Sequence, residues 1–536
     1  MPNRFQSQYI PYSETAKFSK IILDYIDQEE QLKAFFLHPP TIEGIRQAIE
    51  QQQNFKTDRK LLVSVLDTQY ANVDTSPEVK KNIELLASVN TFTICTAHQP
   101  NIFTGHLYFI YKILHTIKIA EYLNTHLPGN NFVPVFYMGS EDADLGELGH
   151  VFIGGQKYEW QTQQTGAVGK MEVDENLMKL IDEAGGQLSV LPFGENVIQL
   201  LKEYYTKGTS IQHATFKLVN SLFLEYGLIV LLPDNADLKR SMVSIFEDDI
   251  FNNTPSQVVS KTSKELNKYY KVQAHPREIN LFYLKENIRS RLIEKENVYY
   301  VEGSDIHFTA EEIKKELEDH PERFSPNVIL RGLYQEVILP NLAFIGGGGE
   351  LAYWLELKDL FQHYKVPYPV LILRNSFLFI DKKAKLLCEK LELRENDLFK
   401  DENTLTNELV KKETKHQLYL TLEKQQVKDV YDEIKKATQQ IDPTLTTHTE
   451  ALLTKTLNSL NILESKMLKA EKRKFETRQT QIKKIKSILF PGRELQERVE
   501  NFMPYYAKYG KRFIEVLYEN SLTFQQKFSV LTEVED

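Results

Sequence analysis

The chain has 536 residues and a formal net charge of -9 at neutral pH. This length exceeds what one hydrophobic core usually organises, so we expect more than one substructure. The negative charge argues against nucleic acid and anionic membranes as partners, because both require a basic face, and leaves small solutes as the expected ligands.

Cysteine usage and the absence of long apolar segments indicate a cytoplasmic protein. Cys95 and Cys388 lie far apart and neither belongs to a Cys-x-x-Cys pair, which argues against a disulfide framework and a thiolate zinc site. The first residues lack the apolar core of an export signal, and no segment offers the ~20 apolar residues that a membrane span needs. We expect no metal site.

The predicted elements change character along the chain. Residues 1–90 are mostly helical, with apolar residues three and four positions apart in Ala16–Tyr25 and Glu78–Leu86. Between residues 91 and 382, short apolar runs alternate with helices, which predicts a parallel sheet with helices on both faces and an α/β fold. The predicted strands are Thr91–Cys95, Phe132–Met138, Leu228–Leu232 and Pro369–Leu373.

Two segments interrupt this alternation, and we interpret them as insertions near 151–210 and 255–325. The second contains the alternating runs Asn280–Leu284 and Asn297–Val301, which predict a small antiparallel sheet. Ligands of an open parallel sheet bind outside the carboxyl ends of its strands, and the polar motifs of this chain fall at those ends.

The first polar motif is the loop Thr96–Leu107, which lies between a predicted strand and a predicted helix over Tyr108–Leu123. A loop that enters a helix in this way directs backbone N–H groups and the positive end of the helix dipole at one point, which favours an anion. The alternative is a structural turn that uses Gly105 for a close approach and Thr104 as the helix N-cap.

Acidic residues follow the second predicted strand directly. Glu141, Asp142 and Asp144 can orient an ammonium group or supply a base once the pKa of one of them is raised by its neighbours. The alternative is a helix N-terminus enriched in acids, which is a common structural pattern. His98 and His150 are either site residues or histidines satisfied within the core.

Four glycines, Gly346 to Gly349, precede Glu350 and an apolar-aromatic helix. The segment is neither a Walker loop nor a Gly-x-Gly-x-x-Gly fingerprint, so the motif does not indicate a nucleotide. It predicts either a ligand cradle made of backbone amides or a close approach between a helix and a strand.

Residues 383–487 are rich in lysine and glutamate and predict an antiparallel coiled-coil hairpin. Asp442-Pro443 separates its two arms, because a proline in a first turn restarts a helix. Two apolar series at heptad-like spacing form the arms, Val427, Val430, Ile434, Ala437 and Ile441 in one and Phe475, Ile482, Ile485 and Leu489 in the other. Two helices lying on the core are the alternative. An exposed apolar seam favours a homodimer, and the aromatic residues of Phe502–Leu517 favour docking of segment 488–536 on the core.

These motifs, taken in order, resemble the BshC family, the cysteine ligase of bacillithiol biosynthesis. The segments that carry the resemblance are Tyr9–Phe36, Thr96–Leu107, Glu141–Asp144, Leu330-Arg331, Phe344–Trp354, Pro369–Ser376 and Leu489–Arg498. The resemblance implies a Rossmann-like core with connecting-peptide insertions and a coiled coil, related to class I aminoacyl-tRNA synthetases. Pro100–Leu107 is similar to the synthetase segment that ends in His-Ile-Gly-His, with Phe103 and Thr104 in place of its first two residues and with Gly105 and His106 retained.

The resemblance implies amide formation between the carboxyl of cysteine and the amine of glucosaminyl malate, which gives bacillithiol. Such a step needs an activated carboxyl, a deprotonated amine and a donor for the developing oxyanion. The implied catalytic residues are His106, Glu141, Asp142 and Asp144. The implied substrate- or nucleotide-binding residues are His98, Gln99, Asn101, Thr104, Gly105, His150, Arg331, Gly347, Gly348, Glu350, Tyr353, Arg374 and Ser376.

The candidate cofactor is ATP or ADP, and the sequence establishes neither. The expected partners are cysteine, glucosaminyl malate and a second copy of the chain. Two other hypotheses stay open: a class I synthetase-like enzyme that transfers an adenylyl group to another carboxylic acid, and a non-catalytic scaffold that works through its coiled coil.

Overall fold

The computed structural model describes residues 4–534. They form two compact units, which we describe separately. The first contains the residues up to Phe379 and those from Glu494 onward, and the second is Ile380–Arg493. In the part of the chain that the structure describes, no helix is both long and apolar enough to cross a membrane.

The strands are short and mostly rich in β-branched and aromatic residues, which favour a pleated, buried surface. In chain order they are β1 (Arg4–Pro11), β2 (Thr91–His98), β3 (Asn131–Met138), β4 (His150–Ile153), β5 (Gln156–Glu159), β6 (Ile229–Leu231), β7 (Leu281–Lys285), β8 (Ile288–Lys295), β9 (Val298–Val301), β10 (His307–Phe308), β11 (Phe324–Pro326), β12 (Asn341–Gly346), β13 (Val370–Leu373), β14 (Phe377–Ile380) and β15 (Lys527–Val534).

The α-helices of the first unit surround these strands, and those of the second unit form its whole framework. In chain order they are α1 (Lys20–Ile26), α2 (Ile42–Gln53), α3 (Arg59–Tyr70), α4 (Pro77–Leu85), α5 (Tyr108–His126), α6 (Leu145–Leu148), α7 (Glu175–Leu188), α8 (Gly194–Tyr204), α9 (Ile211–Phe223), α10 (Ala236–Arg240), α11 (Val243–Asn252), α12 (Thr254–Leu266), α13 (Ala310–Asp319), α14 (Val328–Ile338), α15 (Gly348–Trp354), α16 (Lys358–Tyr364), α17 (Lys382–Lys390), α18 (Glu402–Glu413), α19 (Thr421–Ile441), α20 (Leu445–Lys472), α21 (Glu476–Leu489), α22 (Met503–Tyr509) and α23 (Lys511–Glu519).

The central sheet of the first unit has the strand order β13-β12-β2-β3-β6. All of its neighbouring strands are parallel, so the predicted α/β fold is confirmed. Helices α2 and α5 share a hydrophobic core with β2, β3, β12 and β13. The four predicted strands are present. Strand β12 was not predicted, and it ends at Gly346, the first of the four glycines.

The second insertion contains the predicted antiparallel sheet. It has the order β10-β9-β8-β7-β11, with β7, β8 and β9 joined as consecutive hairpins. Strand β11 adds to the other side of β7.

A third sheet joins the two ends of the described chain. Strand β1 pairs antiparallel with β15 along its whole length, from Arg4 opposite Val534 to Pro11 opposite Lys527, and β15 also neighbours β14. The sequence patterns predict mostly helices in residues 1–90 and no strand at either end. The pairing joins segments more than 500 residues apart, which local periodicity does not detect.

The second unit contains the predicted antiparallel hairpin, formed by α19 and α20 around Asp442-Pro443. Tyr431 and Thr456 hydroxyls lie 2.9 Å apart across it, and Lys424 pairs with Glu464 at 2.5 Å. The predicted second arm was wrong, because α20 ends at Lys472 and the apolar series from Ile482 to Leu489 belongs to α21, which packs against α17 and α18.

Candidate active site

A cavity of about 860 Å³ opens at the carboxyl ends of the central strands. One side comes from the ends of β2, β3, β12 and β13, and the other from β7 and β8 of the insertion sheet. The position is where open α/β sheets bind ligands. The sequence-predicted residues that line it are His98, Gln99, His106, Glu141, Asp142, Arg331, Gly347, Gly348, Glu350, Tyr353 and Arg374.

Other sequence-predicted residues support the cavity without lining it. They are Asn101, Thr104, Gly105, Asp144, His150 and Ser376. The Thr104 hydroxyl is buried and makes no hydrogen bond within residues 4–534, and it does not cap α5, which begins at Tyr108 after an N-cap residue without a side-chain bond. The Asn101 amide lies 3.5 Å from the Glu147 carbonyl, and His150 Nδ1 lies 2.8 Å from the Gly146 carbonyl.

The loop before α5 has an unusual backbone. Phe103, Thr104 and Gly105 follow one another with φ values of 51°, 69° and 66°, a region that side-chain-bearing residues rarely adopt. At Gly105 a Cβ atom would also lie 2.8 Å from Asn101 Cβ. Glycine is therefore required at position 105 by both conformation and space.

Backbone N–H groups that we expected to bind an anion in this loop are already engaged. Gly105 N donates to the Ile102 carbonyl at 3.0 Å, and Leu107 N donates to the Glu500 carbonyl at 2.8 Å. These two amides are therefore not available to a ligand. The acceptor at Glu500 follows the motif Leu489–Arg498, so the closing part of the chain completes this loop.

Both histidines of the first motif line the cavity as neutral rings. His98 Nδ1 lies 3.0 Å from the Gln99 carbonyl, and Nε2 lies 3.3 Å from the Tyr108 hydroxyl. Burial, with the Lys112 charge adding to it, lowers the pKa of His98 to about 3. His106 Nδ1 lies 3.1 Å from the Val499 carbonyl, and burial lowers the pKa of His106 as well.

The three acids after β3 have three different environments. Glu141 contacts the fully buried Lys239 ammonium, which also lies 3.2 Å from Asp234. Burial raises the pKa of Glu141, opposed by Lys239, so burial and not its acidic neighbours is the main cause of the shift. Glu141 is thus engaged within the wall of the cavity.

Asp142 and Asp144 differ in whether they face the cavity. Asp142 accepts a hydrogen bond from Gln99 Nε2 at 3.1 Å and lies 3.8 Å from an Arg289 nitrogen. Asp144 caps α6 by accepting from Glu147 N at 3.0 Å, which is the structural role that we had weighed as the alternative. Asp142 is the acid of this cluster best placed to meet a ligand.

The glycine segment makes the close approach that the sequence left open as one of its two roles, and part of it also lines the cavity. A Cβ atom at Gly346 would lie 2.6 Å from Leu351 Cδ1, so this glycine permits close packing. Gly347 and Gly348 line the cavity, and Gly347 N donates to Glu350 Oε2 at 2.9 Å. The same carboxylate lies 2.6 Å from Lys112 Nζ.

Arginines contribute positive charge on both sides of the cavity. Arg331 Nη2 donates to the Tyr353 hydroxyl at 2.6 Å, and its buried Nη1 has no hydrogen-bond partner among the described residues. Arg374 is held by Glu497 at 2.7 Å, and Glu497 also accepts from the Ser376 hydroxyl at 3.1 Å. Arg289 stacks on Phe282, with its guanidinium carbon 3.9 Å from the ring centre.

Sequence reasoning missed several of these residues. Lys112 is spaced like a core residue of an apolar helix, and Lys239 lies in a short helix that reads as a surface element. Arg289 belongs to the second insertion, to which the sequence assigns no role. Glu497 lies within the motif Leu489–Arg498 and could have been identified as a site residue from it. No group of three or more His, Cys, Asp or Glu side chains in residues 4–534 is arranged to hold a metal ion.

Comparisons with known proteins agree with this architecture. The family model for the N-terminal Rossmann-like domain of bacillithiol biosynthesis BshC matches residues 5–375, and the model for the C-terminal coiled-coil domain matches residues 377–533. A Flavobacterium johnsoniae protein is 38% identical over 98% of this chain and 99% of its own. Similar proteins of Christiangramia forsetii (37% identical, 98% of each chain) and Bacillus cytotoxicus (26% identical, 95% of this chain and 97% of its own) carry the same name, "Putative cysteine ligase BshC". The chain therefore belongs to the BshC family of bacillithiol biosynthesis proteins.

Proposed function

We propose that the protein is a ligase that joins the carboxyl of cysteine to the amine of glucosaminyl malate, with bacillithiol as the product. The observation that carries the proposal is a single cavity with carboxylates and arginines on its walls, since both substrates carry an amine and carboxyl groups. The names of the relatives as cysteine ligases support the reaction class.

The charges assign a place to each substrate group. Asp142 and Glu350 line the cavity and would hold the amine. The buried Arg331 Nη1, which has no partner among the described residues, would bind a malate carboxylate, because a buried guanidinium nitrogen is costly to leave without an acceptor.

The residues that we predicted to hold a nucleotide phosphate do not fit that role through their backbone amides. Gly105 N, Leu107 N and Gly347 N all donate to internal acceptors. The proposal therefore assigns no step to a bound nucleotide. The carboxyl of cysteine must still be activated, and ATP is the candidate reactant to test.

The direct test supplies purified full-length protein with cysteine and glucosaminyl malate, with and without ATP, and measures the thiol product by mass spectrometry after thiol labelling. Product that depends on the protein supports the proposal.

The Arg331→Met variant should raise the KM for glucosaminyl malate at least tenfold, and Arg240→Met, on the exposed end of α10, is the matched control. If no bacillithiol forms, and the protein releases diphosphate from ATP in the presence of another carboxylic acid, the adenylyl-transfer hypothesis replaces the proposal. If the protein binds neither cysteine nor glucosaminyl malate, the scaffold hypothesis is favoured.

We also propose that the protein is a cytoplasmic homodimer that associates through its hairpin. Val430, Ile434 and Ile441 on α19 are 54%, 43% and 80% exposed. The residues of α19 that form hydrogen bonds with α20 are Tyr431 and Thr438. An apolar row left uncovered by its own hairpin favours a second copy as its cover.

A further inference from the structure

The loop that carries His106 is held by a segment from the other end of the chain. Asn501 is fully buried, and its side-chain amide donates to the carbonyls of Phe103 at 2.9 Å and Gly105 at 2.5 Å. Its amide oxygen accepts from Met503 N at 2.9 Å. The amide group of Asn501 is thus fixed in orientation, and it satisfies two carbonyls of the positive-φ loop.

This loop conformation needs such support. Successive residues at positive φ persist only where their surroundings determine the conformation, and such strain is concentrated at functional sites. Neighbouring contacts add to the hold of Asn501: Leu107 N donates to the Glu500 carbonyl at 2.8 Å, and Asn501 N donates to the Phe152 carbonyl at 3.0 Å.

The same segment fixes the tautomer of His106. A carbonyl oxygen only accepts, so His106 Nδ1, 3.1 Å from the Val499 carbonyl, must carry the ring proton. In the neutral ring, Nε2 then has a free lone pair. No residue between 4 and 534 forms a hydrogen bond with Nε2, and His106 lines the cavity.

This geometry discriminates between two roles. A histidine that stabilises an anion must present an N–H group, which here would require the imidazolium, because the opposite tautomer would set a lone pair against the Val499 carbonyl. A histidine that accepts a proton requires the neutral ring in the tautomer found here. Burial disfavours the imidazolium, so the second role agrees with the structure.

We propose that His106 Nε2 is the proton acceptor of the ligation and that Asn501 is the residue that positions it, an inference that rests on the proposed function. The amine of glucosaminyl malate attacks the carbonyl carbon of a mixed anhydride of cysteine with a phosphate group, for which ATP is the activating co-reactant, and the C–N bond forms. The proton leaves nitrogen for His106 Nε2. The C–O bond to the anhydride oxygen breaks, and the leaving anion takes its electron pair.

Several charged or titratable groups lie around His106. His150 on β4 and Tyr108 on α5 have ring centres 6.3 Å and 5.7 Å from its own. Glu147 and Arg498 line the same cavity, and Glu500 lies in the supporting segment. Of these groups, His150 further lowers the pKa of His106, and burial remains the main cause of the shift.

The first test uses the full-length protein and reads the tautomer without any activity. Nitrogen-15 spectra of histidine-labelled protein should show His106 protonated at Nδ1 and not at Nε2, with a pKa below the usual ~6.5. Asn501→Ala should broaden or shift this signal. Asn124→Ala is the control, because the side-chain amide of Asn124 likewise donates to a backbone carbonyl and accepts from a backbone N–H, both of Phe132. A ring protonated at Nε2 overturns the inference and leaves the proposed function untouched.

The second test measures thiol formation between pH 5 and 9 for wild type, His106→Gln and Asn501→Ala. Glutamine keeps an N–H donor but accepts no proton, so kcat should fall about 10²–10⁴-fold with affinity for glucosaminyl malate within threefold. Asn501→Ala should lower kcat more than it changes KM. Asn501→Ser keeps a hydrogen-bond donor and should recover part of the lost kcat. The serine variant also replaces the alanine variant in this test if the latter does not fold.

The control for histidine chemistry is His126→Gln, since His126 is exposed on α5 and also bonds a carbonyl through Nδ1, at Tyr122. Wild-type kcat/KM should fall at low pH through a pKa below the usual histidine value, and the residual rate of His106→Gln should lack this limb. Retention of more than half the rate by His106→Gln, or a rate that falls as pH rises through that pKa, overturns the inference. Absence of product from wild type overturns the proposed function and the inference with it.

Discussion

Lys112 Nζ lies 2.6 Å from Glu350 Oε2, and Lys112 is 1% exposed. The ammonium also donates to the Ala97 carbonyl at the end of β2. Burial acts to raise the pKa of Glu350, but the charge and hydrogen bond of Lys112, together with the hydrogen bond from Gly347 N, outweigh burial and hold that pKa below its usual value. A carboxylate of the cavity is therefore kept ionised by a lysine that does not itself line it.

We expect Lys112→Met to destabilise the first unit by about 3–5 kcal/mol, because it leaves Glu350 as a buried charge without its partner. Denaturant unfolding followed by circular dichroism measures the loss. Lys118→Met, on the same helix with its nearest acid 3.9 Å away, is the control and should change stability by less than about 0.5 kcal/mol. A double variant with Glu350→Gln should recover part of the loss; equal destabilisation by the single and double variants would contradict the coupling.

Glu336→Gln should make the protein more stable above pH 8. Burial raises the pKa of Glu336 to about 8, and its Oε2 has no partner among the described residues. A raised folded-state pKa gives stability that is complete below the unfolded pKa of about 4.3 and is lost as pH rises through about 8. Melting temperatures of wild type and variant should converge at about pH 4 and separate at pH 9. Glu311→Gln, exposed on α13, should show no such divergence.

Asp142→Asn should weaken binding of glucosaminyl malate by about 10–100-fold, the usual size of a lost charge-assisted hydrogen bond. Its carboxylate lies beside Gln99 and Arg289 in the cavity. Calorimetric titration of the variant with glucosaminyl malate and with ATP measures both affinities, and Asp182→Asn, in an exposed pair with Lys202, is the control. Loss of ATP affinity alone would favour the adenylyl-transfer hypothesis.

Replacing Val430 and Ile434 by glutamate should convert the proposed dimer to a monomer, because two charges would enter the apolar row of α19. Sedimentation velocity at several protein concentrations measures the assembly state. The matched control is Val190→Glu, which changes an apolar side chain of the first unit that is 83% exposed. An unchanged sedimentation coefficient for the double variant would exclude this face of the hairpin as the interface.

The sequence predicted those parts of the fold that local patterns encode. Thr91–Cys95 and Phe132–Met138 are apolar runs bounded by turns, and both are strands of the central sheet. The pairing of β1 with β15 was missed because its two strands lie more than 500 residues apart, although Phe528–Leu531 of β15 are buried. Val430 belongs to the exposed row of α19, whereas the next residue, Tyr431, belongs to the contact with α20. Heptad spacing in the sequence does not distinguish two rows that are one residue apart.

The candidate site was predicted in its position more than in its contacts. Polar residues after strands gave the location of His98, Asp142 and Glu350 at the carboxyl edge of the sheet. Sequence spacing does not reveal ion pairs between distant segments, so Glu141 was read as facing a substrate when Lys239 contacts it. Asn501 was not identified for the same reason, since its partners lie 396 and 398 residues earlier.

That separation has a consequence for synthesis on the ribosome. His106 is translated early, but the Val499 carbonyl that sets its ring lies 393 residues later, which at about 5–20 residues per second corresponds to roughly 20–80 seconds of elongation. Throughout that interval the nascent chain carries the histidine without its support. A polypeptide released prematurely after the hairpin would contain the residues of the central sheet and the glycine segment but lack the Val499 and Asn501 contacts that hold the loop, so the proposed role of His106 predicts that incomplete translation products are inactive.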